Sequence, residues 1–145
     1  MYQMCCSTIG PITMTRILII EDEELVRLTV KQMLEAAEHE VSTAVDGEDG
    51  LRQFRQQPAD IVLCDVFMPN KDGIATLKEL HEVSADVPVI MMSGGVPAPM
   101  LGETGPVDYL RLARLLGAAS TITKPFQTSH LLAAMETCLS TVDAP

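Results

Sequence analysis

The stretch Ala59-Asp60-Ile61-Val62-Leu63-Cys64-Asp65-Val66-Phe67-Met68-Pro69 decides the fold of this chain. Its segment Ile61 to Cys64 is a short, uninterrupted apolar run with β-branched residues. Such a run favours a central parallel strand that is buried on both faces. The run ends at the carboxylate of Asp65, and Pro69 cannot continue a ladder of strand hydrogen bonds. We therefore expect Asp65 at the carboxyl edge of a parallel sheet, where open α/β sheets bind ligands.

Three further β-prone runs also end in polar side chains. Arg16 to Ile20 leads into Glu21-Asp22-Glu23-Glu24, Val87 to Met92 leads into Ser93-Gly94-Gly95, and Ser120 to Thr123 leads into Lys124-Pro125-Phe126. Taken alone, Asp65 could equally be the cap of a turn. One cap does not explain carboxylates at two strand ends, a hydroxyl at a third and a lysine at a fourth. Together these groups predict a phosphoryl-transfer site.

Apolar residues at helical spacing alternate with the strands. The predicted helix faces are Val26, Val30, Met33, Leu34 and Ala37; Leu51 and Phe54; Ile74, Leu77 and Leu80; Tyr109, Leu112, Ala113 and Leu116, in a helix starting near Val107; and Leu131, Leu132, Met135 and Leu139. With a further short strand at Val41 to Val45, strands and helices alternate five times. Right-handed crossovers then predict an α/β fold, a flavodoxin-like doubly wound five-stranded parallel sheet with helices on both faces.

Length and composition indicate one globular domain. The chain has 145 residues, of which 47% are hydrophobic and 21% charged, and this length allows a sizeable core. We expect a domain over residues 15–141, an N-terminal extension over residues 1–14 and a tail over residues 142–145. No apolar run approaches the ~18 residues that span a bilayer, and the start lacks the features of a secretory signal. We therefore expect a cytoplasmic protein that does not bind a membrane.

The charge balance argues against nucleic acid as a partner. The net charge is −10, with 20 acidic and 10 basic residues, and aromatic residues make up only 3%. This composition repels phosphate backbones and offers few side chains on which bases could stack. The four cysteines, Cys5, Cys6, Cys64 and Cys138, do not have the spacing of a zinc site.

In order and context, these pieces resemble the receiver domain of two-component response regulators. The matching pieces are Ile20-Glu21-Asp22-Glu23, Asp65-Val66-Phe67-Met68-Pro69 with Asp72-Gly73, Ser93-Gly94, and Lys124-Pro125-Phe126. The resemblance covers about residues 15 to 141 and implies a phosphoacceptor signalling domain, not an enzyme acting on other substrates. It also implies that a histidine kinase or a phosphotransfer protein donates the phosphoryl group, and that an unidentified downstream protein reads it.

The resemblance implies a Mg²⁺ site beside the phosphoacceptor Asp65. Asp22, Asp65 and the backbone carbonyl of Phe67 would coordinate the ion, and Glu21 would reach it through water. Oxygen-rich surroundings without histidine favour such a hard cation. We expect Asp65 to have an ordinary carboxyl pKa near ~4, so that it is ionised and needs no base.

The same resemblance gives roles to the hydroxyl and the lysine. Lys124 would pair with Asp65 at rest and with a phosphoryl oxygen after transfer, and a cis bond before Pro125 would aim it inward. Ser93 would donate a hydrogen bond to another phosphoryl oxygen. Catalysis then consists of positioning and charge neutralisation. Phe67 would overhang the path of a hydrolysing water, so we expect a long-lived phosphoryl group.

Three features depart from the family pattern. Glu21 stands where the family often has aspartate, and Thr121 stands three residues before the lysine, where the family usually has an aromatic residue. Gly94 to Pro106 contains four glycines and three prolines among thirteen residues. This segment is either a tolerated surface insertion or a lid or partner-docking segment beside the reaction site; we expect it to carry more of the response to phosphorylation than Thr121 does.

Two other functions stay open. Glu21 and Thr121 are compatible with a degenerate receiver that binds proteins without phosphorylation. A magnesium-dependent phosphatase that forms an aspartyl phosphate is the other alternative, but Phe67 stands where such sites generally need a second acid. The sequence after residue 141 is too short for an output domain, so we expect a stand-alone receiver. It would act through a partner protein or drain phosphate from a shared relay.

Overall fold

Five parallel strands form the centre of the structure, a computed structural model that describes residues 15–68, 71–93, 101–102, 105–106 and 109–143. The strands in chain order are β1 (Arg16–Ile20), β2 (Glu40–Ala44), β3 (Ile61–Asp65), β4 (Val89–Ser93), β5 (Leu101–Gly102), β6 (Gly105–Pro106) and β7 (Ser120–Thr123). The parallel sheet has the order β2-β1-β3-β4-β7, and β5 and β6 pair separately as a short antiparallel ribbon. The predicted doubly wound five-stranded sheet is confirmed.

Five helices cover the two faces of this sheet. They are α1 (Glu24–Ala36), α2 (Gly47–Gln56), α3 (Gly73–Val83), α4 (Tyr109–Leu115) and α5 (Thr128–Asp143). Successive residues of a strand point to opposite faces, so each buried strand contributes to two cores. Leu18, Val62 and Met91 pack with residues of α2, α3 and α4 on one face. Ile19, Leu63 and Ile90 pack with residues of α1 and α5 on the other.

The start of α3 lies directly against the end of β3. The Asp72 carboxylate caps the helix by accepting a hydrogen bond from the Ala75 amide at 2.8 Å. The Gly73 amide donates to the carbonyl of Val66 at 2.8 Å. A Cβ atom at Gly73 would lie 2.1 Å from the carbonyl oxygen of Asp65. The close approach therefore requires glycine, and it fixes the backbone that carries Asp65.

The prediction for the buried face of α4 was wrong in part. The described helix begins at Tyr109, and residues 107–108, where its start was predicted, lie outside the described residues. Leu112 and Leu116 were expected on its buried face, but each is 39% exposed, whereas Ala113 is buried. A helix of seven residues presents little surface to a sheet, so the side chains that flank Ala113 reach solvent.

Several predicted segments fall partly or wholly outside the described residues. Residues 1–14 lie outside, and so do residues 94–100 of the proposed insertion. The insertion does contain the β5–β6 ribbon, which we did not predict. At the other end, α5 continues to Asp143, two residues past the expected end of the domain. No helix in the described part of the chain is long and apolar enough to cross a membrane.

Candidate functional site

The carboxyl edge of the sheet gathers the predicted site residues. Asp65 ends β3, Ser93 ends β4, Glu21 directly follows β1, and Lys124 directly follows β7. The parallel register places Asp65 opposite Met92 and Ser93 opposite Thr123, so neighbouring strands end at the same level. The polar residues at the ends of the apolar strands therefore lie together at one edge of the sheet, as the sequence indicated.

Three carboxylates form a compact acidic cluster. One carboxylate oxygen each from Glu21, Asp22 and Asp65 lies within 4.8 Å of the others. Glu21 is 1% exposed and Asp65 is 6% exposed, whereas Asp22 is exposed. The cluster is thus buried on the sheet side and open on the Asp22 side. Oxygen ligands in this arrangement can hold a divalent cation.

Lys124 is the cation that faces this cluster. Its Nζ donates a hydrogen bond to Oε1 of Glu21 at 2.8 Å and lies 3.3 Å from Oδ1 of Asp65. The side chain is largely buried, with 16% exposed. The peptide bond between Lys124 and Pro125 is cis, as the resemblance implied. We had expected Lys124 to pair with Asp65 at rest, but the structure adds a shorter contact with Glu21, because a glutamate reaches further than an aspartate.

Arg27 of α1 holds the backbone of the acidic turn, a role that sequence reasoning missed. Its Nη1 donates to the carbonyl oxygen of Glu21 at 3.1 Å and lies 3.5 Å from that of Asp22. The amide of Glu23 also donates to Oε2 of Glu21 at 3.2 Å. An arginine on the exposed side of a predicted helix carries no motif signal, so the sequence did not single it out.

Burial and like charges perturb the titration of this site. Burial, together with the nearby charge of Glu21, raises the pKa of Asp65 to about 7, although Lys124 acts in the opposite direction. Our expectation of an ordinary pKa is therefore wrong for the metal-free protein. Burial alone would lower the pKa of Lys124, but its hydrogen bond to Glu21 and the charge of Asp65 outweigh this and raise it. The site is short of positive charge, which a divalent cation would supply.

Ser93 and Phe67 also lie at this edge, whereas Thr121 lies within β7. Ser93 is 5% exposed, and its carbonyl accepts a hydrogen bond from the Lys124 amide at 2.7 Å. Phe67, two positions past Asp65, is half-buried and packs against the core beneath α2 and α3. Thr121 is half-buried in β7, opposite Met91. The chemical roles of Ser93 and of the Phe67 carbonyl stay predictions.

Comparison with known proteins identifies the family. The model of the response regulator receiver domain family matches residues 17–136. This chain belongs to that family.

Individual relatives and solved structures agree with this assignment. The chain is 31% identical over 126 residues to the chemotaxis protein CheY of Bacillus subtilis, covering 86% of this chain and 98% of CheY. It is 30% identical over 118 residues to the transcriptional regulatory protein DltR of Streptococcus agalactiae, covering 81% of this chain and 49% of DltR. The chain spans about half the length of the first such relatives. A crystal structure of a receiver domain protein from Clostridium thermocellum superposes with a TM-score of 0.77 at 28% identity, covering 88% of this chain and 96% of that one.

Proposed function

We propose that this protein accepts a phosphoryl group on Asp65 from a histidine kinase or a phosphotransfer protein, with Mg²⁺ as cofactor. The observation that carries the proposal is a buried aspartate that shares an acidic cluster with Glu21 and Asp22 and lies 3.3 Å from the Nζ of Lys124. The phosphorylated domain would act on a partner protein or drain phosphate from a relay. The stand-alone arrangement expected above stays a prediction.

The reaction needs little covalent participation from the protein beyond Asp65. An oxygen of Asp65 attacks phosphorus as the bond to the donor imidazole breaks, and an acyl phosphate forms. Because both reacting groups are anionic, the barrier depends on charge neutralisation and alignment. Lys124 would contribute one positive charge from within the site, and Ser93 would donate a hydrogen bond from its hydroxyl to a phosphoryl oxygen.

The residues present fit a hard divalent cation. Three carboxylates converge within 4.8 Å, and their mutual repulsion helps to raise the pKa of Asp65 to about 7. Glu21, Asp22 and Asp65 offer the side-chain oxygens for Mg²⁺. When bound, the ion supplies positive charge beside the phosphoryl oxygens. It also favours the ionised form of Asp65, which is the form that attacks.

The two rival functions receive less support. A phosphatase that forms an aspartyl phosphate needs an acid two positions after the nucleophile, and Phe67 stands there. A purely protein-binding module has no need for Asp65 and Lys124 to lie 3.3 Å apart beside two further acids. We therefore propose that the domain carries out only its own phosphorylation and dephosphorylation.

An apolar groove beside the site is suited to a helix of the phosphoryl donor. The groove runs between Leu25 and Met33 of α1 and the segment Lys124–Phe126, so it is continuous with the reaction site. Leu25 is 78% exposed there. A donor must bring its phosphohistidine to Asp65 across this edge, and a helix with an apolar face can bury Leu25 while it does so.

The decisive experiment is intact mass measurement after incubation with acetyl phosphate, with and without Mg²⁺, for the wild type and Asp65→Asn. We expect a single phosphoryl adduct that requires Mg²⁺ and is absent from the variant. A parallel incubation with a phosphorylated phosphotransfer protein tests whether the domain accepts a phosphoryl group only from a protein donor. No adduct from either source, under conditions that label a control receiver, would contradict the proposal.

A further inference from the structure

Glu21 uses both of its carboxylate oxygens within the protein. Oε1 accepts a hydrogen bond from Lys124 Nζ at 2.8 Å, and Oε2 accepts one from the Glu23 amide at 3.2 Å. The residue is 1% exposed. Each carboxylate oxygen has a second lone pair, but a cation that uses Oε1 must bind next to the ammonium group of Lys124.

The length of Glu21 determines where the lysine rests. Lys124 Nζ lies 3.3 Å from Oδ1 of Asp65, further than from Glu21. An aspartate at position 21 would be shorter by one methylene, ~1.5 Å of reach. Its carboxylate would be drawn away from Nζ, and Asp65 would become the nearer partner of the lysine. The contact between Glu21 and Lys124 thus follows from the residue that departs from the family pattern.

Electrostatics couple this contact to the binding of a cation. Two buried carboxylates share one ammonium group, and attraction between opposite charges strengthens as water is excluded. A divalent cation beside Glu21 neutralises its carboxylate and repels Lys124. Both effects weaken the contact with Glu21, whereas the phosphoryl group on Asp65 would attract the lysine.

We propose that Glu21 is a positioning residue that holds Lys124 in the metal-free protein and holds it less tightly when a divalent cation binds the acidic cluster, which leaves the lysine available to the phosphoryl group on Asp65. This inference rests on the proposed function. Its consequence is reciprocal: Lys124 opposes the binding of the cation, and the cation opposes the contact between lysine and Glu21.

A double-mutant cycle on Mg²⁺ affinity tests the coupling. Calorimetric titration with Mg²⁺ gives the dissociation constants of the wild type, Glu21→Asp, Lys124→Met and the double variant. We expect Lys124→Met to lower the dissociation constant for Mg²⁺. The factor should be at least about three times larger when residue 21 is glutamate than in the Glu21→Asp background. The cycle removes any general effect of aspartate as a better ligand, because that effect is present with and without the lysine. Equal effects of Lys124→Met in the two backgrounds would overturn the inference.

A metal-free measurement tests the resting contact separately. In the presence of a chelator, urea unfolding of single and double variants gives the coupling of Lys124→Met to Glu21→Gln and to Asp65→Asn. We expect the larger coupling with Glu21, and the reverse order would overturn the inference.

The two proposals fail in different ways. If the wild type is labelled on Asp65 but the effects of the two substitutions on Mg²⁺ affinity are additive, the proposed function stands and only the inference about Glu21 is overturned. If the wild type neither binds Mg²⁺ nor is labelled, both the proposed function and the inference about Glu21 are overturned.

Discussion

The amide of Lys124 donates a hydrogen bond to the carbonyl of Ser93 at 2.7 Å, although the two residues are 31 positions apart. This bond continues the ladder between β4 and β7 one residue past the pairing of Ser93 with Thr123. Both side chains therefore leave the sheet at the same level. The long connection between them does not move the hydroxyl away from the lysine.

Replacement of Asp65 should stabilise the metal-free protein at neutral pH. A carboxyl with a pKa of about 7 in the folded state, against 3.8 as its ordinary value, costs folding energy as pH rises from about 4 to about 7. We expect Asp65→Asn to raise the free energy of unfolding by roughly 2–4 kcal/mol at pH 8 and by much less at pH 4.5. Urea unfolding with a chelator at the two pH values measures this. The exposed Glu82→Gln is the control, and a gain at pH 8 no larger than that control would contradict the prediction.

The stabilisation by Mg²⁺ should increase with pH. Protons and the cation compete for Asp65, whose pKa is raised to about 7, so the site is more often protonated at pH 6 than at pH 8. At a Mg²⁺ concentration of about 100 times its dissociation constant, we expect the melting temperature at pH 8 to rise on the order of 5–10 °C. The rise should be smaller at pH 6 for the same total Mg²⁺, and Asp65→Asn should lose the pH dependence. Thermal unfolding that shows equal shifts at both pH values would be inconsistent with this competition.

Gly73→Ala should disturb the site through the backbone. The new methyl would lie 2.1 Å from the Asp65 carbonyl oxygen and 2.8 Å from Val66 Cα, so the start of α3 or the end of β3 must shift. We expect a loss of about 2–3 kcal/mol in the free energy of unfolding, together with slower labelling by acetyl phosphate. The matched control is Asp72→Ala, which removes only the helix cap and should cost about 1 kcal/mol with labelling retained. Unchanged labelling of Gly73→Ala would refute the positional role.

The lifetime of the phosphoryl group should depend on Phe67. An aromatic side chain two positions past Asp65 would hinder the approach of water, and a small polar residue would admit it. We expect Phe67→Asn to lose phosphate on the order of tenfold faster, equivalent to about 1.4 kcal/mol of barrier, and Phe67→Leu to stay near the wild type. The measurement is the decay of the labelled protein by intact mass. A Phe67→Asn variant that decays no faster than the wild type would count against the hypothesis.

Leu25 should matter for a protein donor and not for a small one. The exposed leucine lies on the groove beside Lys124, where a donor helix would bury it. We expect Leu25→Ser to slow transfer from a phosphotransfer protein by about tenfold, or ~1.4 kcal/mol, with labelling by acetyl phosphate unchanged. Leu115 on α4 is 74% exposed, so Leu115→Ser controls for the loss of an exposed leucine. Equal transfer rates for the two variants would exclude this groove as the docking surface.

The fold could be predicted because its strands are buried on both faces. Runs such as Ile17–Ile20 and Ile61–Cys64 are apolar at every position and end at charged residues, so their ends could be placed at one edge before any contact was known. Right-handed crossovers then place helices on both faces of the sheet, but they leave the strand order open. The position of a residue at the end of its strand therefore predicted that it lies in the site.

The contacts and the pKa values of the site residues depend on the lengths of the side chains and on how completely water is excluded. No spacing rule indicates that Lys124 lies closer to Glu21 than to Asp65, because contacts of 2.8 and 3.3 Å depend on the lengths and the rotamers of the side chains. The raised pKa of Asp65 depends on how completely water is excluded. Arg27 acts through backbone carbonyls, which carry no sequence signature. The exposed Leu112 of α4 shows a further limit, since periodicity does not report how much of a short helix a sheet can cover.

The chain order of the site has a consequence for how the protein is made. β1 pairs directly with β3, so all three carboxylates of the cluster are present once residue 65 has left the ribosome, whereas Lys124 follows much later. A domain that folds during synthesis therefore assembles its anionic groups before their intramolecular counter-charge exists. The strand that is made last, β7, therefore brings the lysine that completes the charge balance of the site.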